Sequence, residues 1–390
     1  MIDLGGTFRA VTPEQTLAKI EPLLWDRFGI TRVANITGLD HIGVPTYVAI
    51  RPQAKLLTSA QGKGITNDLA KISAMMESIE GWHCENMAQP ALFGSYQRLK
   101  KDYPMLELHP HINHGPFEWI DIDSLEIPWG KGTDLISGQE IYFPYTTFNV
   151  NTTFFRPGYR YFPPTTNGLA SGNTIEEAIC HGLFEVLERE FTVENLLVSK
   201  YGQVDLSTIT SPYLLSLISN IHRSNLYLEV WDISTHLNIP AYLTILHNPD
   251  EVRNVGMMMG TGAHFSSVVA LARAITEAIQ ARLTIISGAR DDQTPRVYQK
   301  IKRIRGDFDG MFAKTRLEKT PFIETKIPQG YSFSQCLSEL VHVLKNNGFK
   351  HVIVYDHTRE DINIPVVHVM VPGLRYFHGT CFSCSLSKLS

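Results

Sequence analysis

"SGNTIEEAICHGLFEVLERE", residues 171–190, holds five glutamates and a single arginine. On an α-helix, positions i, i+4 and i+7 fall within roughly 60° of one another. His181, Glu185 and Glu188 have that spacing. Glu177 extends the line one turn back, and Asn173 stands where an N-cap is expected. Ile179, Leu183, Val186 and Leu187 fall on the opposite side. The stretch therefore reads as a helix with an apolar back and a narrow acidic front.

Two other segments carry a similar front. Ser73, Glu77 and Glu80 have the same spacing, and so do Arg273, Glu277 and Gln280. Each segment follows a glycine-rich run read as a turn: "GKG" at 62–64 and "GTG" at 260–262. A solvent-facing stripe is one reading of such a front. Exposed helix faces, however, usually mix charge signs at i,i+4, and these glutamates have few cationic partners on their own helices. Carboxylates gathered without partners repel one another unless a cation sits among them. Mg²⁺ takes oxygen ligands and completes its shell with water or phosphate oxygens, so converging glutamates form a candidate platform for a nucleotide triphosphate. Lys63, Arg189, Arg273 and Arg282 are the candidate phosphate-binding cations. No Walker A loop, G-x-x-x-x-G-K-[ST], occurs in the chain.

Between these helices lie short β-prone runs. "TRVANITGLDHIGVPTYVAIRP", "LYLEVWDIS", "IPAYLTILH", "KHVIVYD" and "PVVHVMVPGL" read as strands, and "MMM" at 257–259 as strand packing. "TPEQTLAKIEPLLWDRFG" reads as a helix capped by Thr12, started by Pro13 and stopped at Gly29. Residues 88–170, rich in Pro, Asn and aromatics, read as strands and loops. Strands and helices alternate without a strict βαβ rhythm. The expected class is α+β, with helices covering mixed or antiparallel sheets.

Composition limits what this fold can do. The chain has 390 residues, 43% apolar and 19% charged, which is ordinary for a globular protein with a large core. A net charge of −4 gives no general attraction to nucleic acid or anionic membrane. No apolar run approaches the roughly 18 residues of a membrane span. The opening residues lack a basic segment followed by an apolar one, so no secretory signal is expected. Five cysteines form no disulfide framework, and a reducing, cytoplasmic setting is the expectation.

The motifs together resemble the YcaO family, ATP-using enzymes that modify peptide backbones. "GKGITNDLAKISAMMESIE", "SGNTIEEAICHGLFEVLERE", "GTGAHFSSVVALARAITEAIQAR" and the late "VPGL" carry the resemblance, which covers most of the chain. It implies a YcaO-type fold whose ATP site is formed by converging helices. It also implies a nucleotide site of Lys63, Ser73, Glu77, Asn173, Glu185, Arg189, Arg273, Glu277 and Gln280, with Arg9 and Thr16 approaching from the start of the chain. Glu77, Glu80, Glu177, Glu185 and Glu188 are the implied Mg²⁺ ligands.

The implied chemistry is amide activation. A nucleophile adds to a backbone carbonyl of a ribosomally made precursor peptide, and ATP phosphorylates the resulting oxygen, which then departs with phosphate. A neighbouring Cys, Ser or Thr gives an azoline, and external sulfide gives a thioamide. The sequence after "VPGL" lacks the alternating prolines of many azoline-forming members, and no E1-like or peptide-clamp domain is expected ahead of the first helix. Thioamide formation is thus weighted slightly above azoline formation. A separate TfuA-like or E1-like partner is expected, with a homodimer as the expected assembly. The competing reading is a non-catalytic ATP-binding accessory protein that assists methylthiolation of a ribosomal protein.

The expected organisation is an N-terminal region at 1–58, an ATP-binding domain at 59–375 and a tail at 376–390. Three weaker signals remain. Cys381 and Cys384 form a C-x-x-C without a second pair, read as structural or incidental before zinc or redox use. His109, His111 and His114 lie in a proline-containing stretch read as surface loop, and Cys180 reads as core packing.

Overall fold

The computed structural model describes residues 1–108, 121–151, 153, 161–198, 202–248, 255–303 and 319–374. His109, His111, His114, Cys381 and Cys384 lie outside the described residues. The described helices are α1 (Pro13–Ile20), α2 (Asn67–Glu85), α3 (Tyr96–Leu99), α4 (Ile175–Val198), α5 (Pro212–Arg223), α6 (Ser267–Ser287), α7 (Pro295–Arg303) and α8 (Phe333–Asn346).

The sheets are mainly antiparallel, as α+β packing requires. A three-stranded sheet runs Arg32–Asn35, Thr46–Ile50, Ser59–Lys63. A five-stranded sheet orders Met258–Ala263, Ala241–His247, Tyr227–Asp232, Gly202–Asp205 and Lys319–Pro321, with only the last pair parallel. The largest sheet contains Ile127–Asp134, Ile353–Asp356, Val366–Met370 and Leu169–Ser171, with Leu92–Gly94 and Glu140–Pro144 both paired to Ile127–Asp134. A short ribbon, Ile2–Asp3 with Phe8–Arg9, opens the chain.

Helix α4 is wedged between the two larger sheets. Leu183, Val186 and Leu187 share one buried cluster with Trp231 and Leu243 of the five-stranded sheet and with Val367 and Val369 of the largest. The acidic helix is therefore internal, and its glutamates do not form a solvated face. Cys180 is buried in the same cluster with its Sγ 3.6 Å from the Phe333 carbonyl, as core packing requires.

Three helices start in the same way. In each of the three sheets an edge strand leads into a helix: Ser59–Lys63 into α2, Leu169–Ser171 into α4, Met258–Ala263 into α6. Thr66 accepts from Leu69 N at 3.2 Å and Ser266 accepts from Val269 N at 3.4 Å, giving α2 and α6 N-caps. On α4 the cap is Thr174, which accepts from Glu177 N at 3.2 Å. Asn173, the expected cap, precedes it and uses its side chain elsewhere.

The glycine-rich runs correct the reading of the sequence. Lys63 ends a strand, and Gly260, Thr261 and Gly262 lie within one. These glycines allow strand and helix backbones to touch. A Cβ on Gly62 would sit 1.9 Å from Ala74 N, and one on Gly260 would sit 2.1 Å from the Ala274 carbonyl oxygen. The first helix is capped by Thr12 with Pro13 at its start, but it ends at Ile20. Pro22 follows in a 3₁₀ turn, and Gly29 closes the segment at φ +67°.

Candidate active site

The three helices meet around a cavity of about 570 Å³. Glu77 and Glu80 reach it from α2, Glu177, Glu185 and Glu188 from α4, and Glu277 from α6. Arg9, Thr16, Lys63, Ser73, Asn173, Arg189, Arg273 and Gln280 also line it. Segments separated by more than two hundred positions are thus brought to one enclosure. Arg282 is the exception among the expected residues. It points away, and its Nε donates to Asp40 Oδ2 at 2.7 Å in a pair whose side chains are almost fully buried. The cavity cation in its place is Arg290, whose Nη2 also lies 2.6 Å from Asp292.

The carboxylates divide into two kinds. Glu177 is clasped by the start of the chain. Its Oε2 accepts from Ala10 N at 3.1 Å and Asn173 N at 3.2 Å, and Arg9 Nη1 lies 3.6 Å from its Oε1. The Asn173 side-chain amide donates to the same carboxylate, and Thr16 Oγ1 donates to Asn173 Oδ1 at 2.9 Å. Arg9 and Thr16 are therefore tied to α4 through Glu177 and Asn173.

The other glutamates face one another with less compensation. Burial pushes the Glu80 carboxyl up to about 8, and Glu77 and Glu185 add repulsion, despite donors from Ser171 N at 2.8 Å and Ser171 Oγ at 2.5 Å. Burial likewise raises Glu185 to about 7 against the attraction of Arg189. Glu77 rises to about 7 from the same cause, opposed by Arg290 and Lys63, and its exposure to the cavity moderates the effect. Glu188 accepts from Thr261 Oγ1 at 2.6 Å, and Glu277 from Thr261 N at 3.3 Å.

The cations show the complementary pattern. Burial lowers Lys63, with Glu277, Glu188 and Glu77 opposing. Burial also works against charge on Arg189, but Glu277, Glu188 and Glu185 outweigh it and raise its pKa. Arg273 Nε has no hydrogen-bond partner among the described residues, so this guanidinium keeps a donor for a ligand. Gln280 Nε2 donates to the Gln61 carbonyl at 2.9 Å, fixing α6 to the strand before α2.

Two further residues of the cavity, His181 and Arg290, were not among the nucleotide or Mg²⁺ ligands expected from the sequence. Burial, then Arg9 and Arg273, hold His181 well below the usual histidine range, so it accepts from Arg9 Nη1 at 2.5 Å as a neutral ring. Its place on the acidic stripe was the available signal. Arg290 had none, because it follows α6 beyond Gly288, outside any periodic pattern.

The carboxylate set fits Mg²⁺, and the surrounding arginines and lysine fit phosphate oxygens. The comparisons agree with this chemistry. Residues 61–375 match the family model described as YcaO cyclodehydratase, ATP- and Mg²⁺-binding. An uncharacterised protein in the tfuA 3′ region of Rhizobium leguminosarum bv. trifolii is 33% identical over 94% of this chain and 88% of its own length. The Escherichia coli ribosomal protein S12 methylthiotransferase accessory factor YcaO is 25% identical over 84% of this chain and 59% of its own. Among solved structures, YcaO from Methanopyrus kandleri bound with AMPPCP and Mg²⁺ superposes with a TM-score of 0.71 at 22% identity, covering 96% of this chain and 94% of that one. A heterocyclase in complex with substrate and cofactor superposes at 0.77, also at 22% identity; this chain spans about half of it, 53%. The fold is thus the YcaO-type α+β fold, and the chain belongs to the YcaO family.

Proposed function

We propose that the cavity holds Mg–ATP and that the protein uses it to activate backbone amides of a ribosomally made precursor peptide. The observation that carries this reading is the meeting of Glu77, Glu80, Glu185, Glu188 and Glu277, from three helices, in one enclosure that also contains Lys63, Arg189 and Arg273. Glu77, Glu80, Glu185 and Glu188 are the ligands we assign to Mg²⁺. Glu177 has both carboxylate oxygens engaged by the N-terminal segment, so its role is to hold Arg9, Ala10 and Asn173 in place. Ser73, Asn173, Glu277 and Gln280 orient the nucleotide, and Arg9, Lys63, Arg189 and Arg273 hold its phosphates. Thr16 acts through Asn173.

When bound, ATP supplies a phosphoryl group that turns an amide-derived oxygen into a leaving group, and Mg²⁺ neutralises the charge that develops. The protein's own residues supply position and field. Arginines already gathered around the cavity need little reorganisation when charge develops, and carboxylates fixed by Ser171 and Thr261 are already aimed.

For the product we favour a thioamide, formed with external sulfide and a TfuA-type partner. The place of the Rhizobium relative beside tfuA supports such a partner. The test is mass spectrometry of the cognate precursor after incubation with ATP, Mg²⁺, sulfide and partner. A gain of about 16 Da marks oxygen replaced by sulfur, and a loss of about 18 Da marks cyclodehydration, both after the same phosphoryl activation. The loss overturns the thioamide assignment. An unchanged peptide, with ATP still bound, favours the accessory role that the Escherichia coli relative's name describes.

A further inference from the structure

A second cluster of ligand-type side chains joins the helix of Glu77 and Glu80 to the largest sheet, and the nucleotide site does not use it. Cys84 occupies the last turn of α2, one turn beyond Glu80. His368 stands in the strand Val366–Met370, and His357 immediately follows the strand Ile353–Asp356. One ligand atom from each, the Cys84 Sγ and a nitrogen of each imidazole, lies within 4.8 Å of the other two. All three residues are buried: Cys84 0%, His357 6% and His368 0% exposed.

These histidines are not paired as core histidines ordinarily are. The His368 Nε2–H donates to the Asn167 carbonyl at 3.0 Å, and its Nδ1 has no partner among the described residues. That pairing leaves the Nδ1 lone pair for a ligand, as a backbone carbonyl does for a metal-bound histidine. Neither nitrogen of His357 has a partner among the described residues. The Cys84 thiol donates to the Phe148 carbonyl at 2.7 Å, and the His368 ring stacks on Phe148 at 3.9 Å. The three side chains are shielded from solvent and together offer one sulfur and two imidazole donors.

We infer that Cys84, His357 and His368 form a site for a d¹⁰ ion, Zn²⁺ or Cu⁺. Thiolate with two imidazoles is the donor set these ions select, whereas Mg²⁺ takes oxygen, so the two sites do not compete. Bonds of about 2.0–2.3 Å set ligand atoms roughly 3.3–3.8 Å apart, a contraction that side-chain rotation supplies. On binding, the Cys84 S–H bond breaks, its proton passes to solvent, and the sulfur electron pair forms the bond to the ion. No electron is transferred. The bound ion ties α2 to the hairpin of Ile353–Asp356 and Val366–Met370, bracing the helix that presents Glu77 and Glu80.

The test uses the full chain in Mg²⁺-free, nucleotide-free buffer. Metal is stripped with a strong chelator, then Zn²⁺, or Cu⁺ under anaerobic conditions, is added back. Expected are about one ion bound per chain, a raised melting temperature, and an absorption-edge spectrum with one sulfur and two nitrogen neighbours. Cys84→Ser should lower affinity at least roughly tenfold. The Cys381→Ser/Cys384→Ser double variant should leave binding intact, which separates this site from the C-x-x-C. If Cys84→Ser does not fold, His357→Gln is read in the same way. Wild-type protein that takes up neither ion, or uptake lost with Cys381 and Cys384 instead, overturns the inference. The relative strength of the Zn²⁺ and Cu⁺ arms identifies the ion.

Discussion

Thr261 joins two of the site helices through its side chain and its backbone. Its Oγ1 donates to Glu188 on α4 at 2.6 Å, while its own N–H donates to Glu277 on α6 at 3.3 Å. One strand residue thus sets the spacing of two carboxylates that would otherwise repel. Gly260 and Gly262 on either side let that strand lie against α6 closely enough for the bond to Glu277.

This arrangement predicts the effect of Glu188→Gln. The amide oxygen can still accept from Thr261, so urea unfolding should show a stability close to wild type. ATP turnover should fall at least tenfold, about 1.4 kcal/mol in barrier, because one negative ligand is lost. Wild-type turnover in this variant would remove Glu188 from the Mg²⁺ set.

A pH dependence follows from Glu80. Its carboxyl is raised to about 8 in the folded protein by burial first, then by Glu77 and Glu185. Between the unfolded value near 4.5 and the folded value, the native state binds the extra proton. The stability this proton supplies is present below the unfolded pKa and lost as pH rises through the folded pKa. In Mg²⁺-free buffer, Glu80→Gln should therefore gain stability relative to wild type as pH goes from about 5 to about 8.5. Denaturant midpoints of both proteins check this, and a constant difference across the range would contradict it. Comparing the two proteins cancels the opposing contribution of His181 and His264, which are held below their usual range.

Arg282 and Arg273 lie on one helix and should respond oppositely. Arg282→Met leaves Asp40 buried without its partner, at a cost of about 3–5 kcal/mol. The folded variant should still gain about 2.7 kcal/mol from Mg–ATP at a hundredfold excess over Kd. Arg273→Met should fold normally and lose most of that gain. Thermal shifts with and without Mg–ATP separate the two. Equal loss of the shift in both would place Arg282 back in the nucleotide site.

How much of this was legible in the sequence depends on the distance over which each signal acts. The stripes at 73–80, 173–188 and 273–280 were legible because helical periodicity is local and charge without partners is conspicuous. The glycines at 62, 260 and 262 were equally visible, yet they read as turns. Their need for close strand–helix contact is tertiary, and no short-range pattern distinguishes it from a turn. Arg282 shared the helix and the charge of a site residue, and only the fold brings Asp40 to it from the other end of the chain. The grouping of Cys84 with His357 and His368 spans 273 and more positions and has no period at all. The N-terminal clasp is similar in kind: Arg9 and Thr16 were expected from family resemblance, and their reason is the network on Glu177 and Asn173.

Isotope transfer tests most directly whether a backbone amide oxygen leaves as phosphate. A precursor peptide carrying ¹⁸O in its target amide carbonyl is incubated with ATP, Mg²⁺, sulfide and partner protein, and the released phosphate is analysed by mass spectrometry. One ¹⁸O per phosphate formed in step with peptide modification is expected, whichever product results. Phosphate that takes its oxygen only from water, while the peptide is modified with ¹⁸O retained or lost elsewhere, would contradict it.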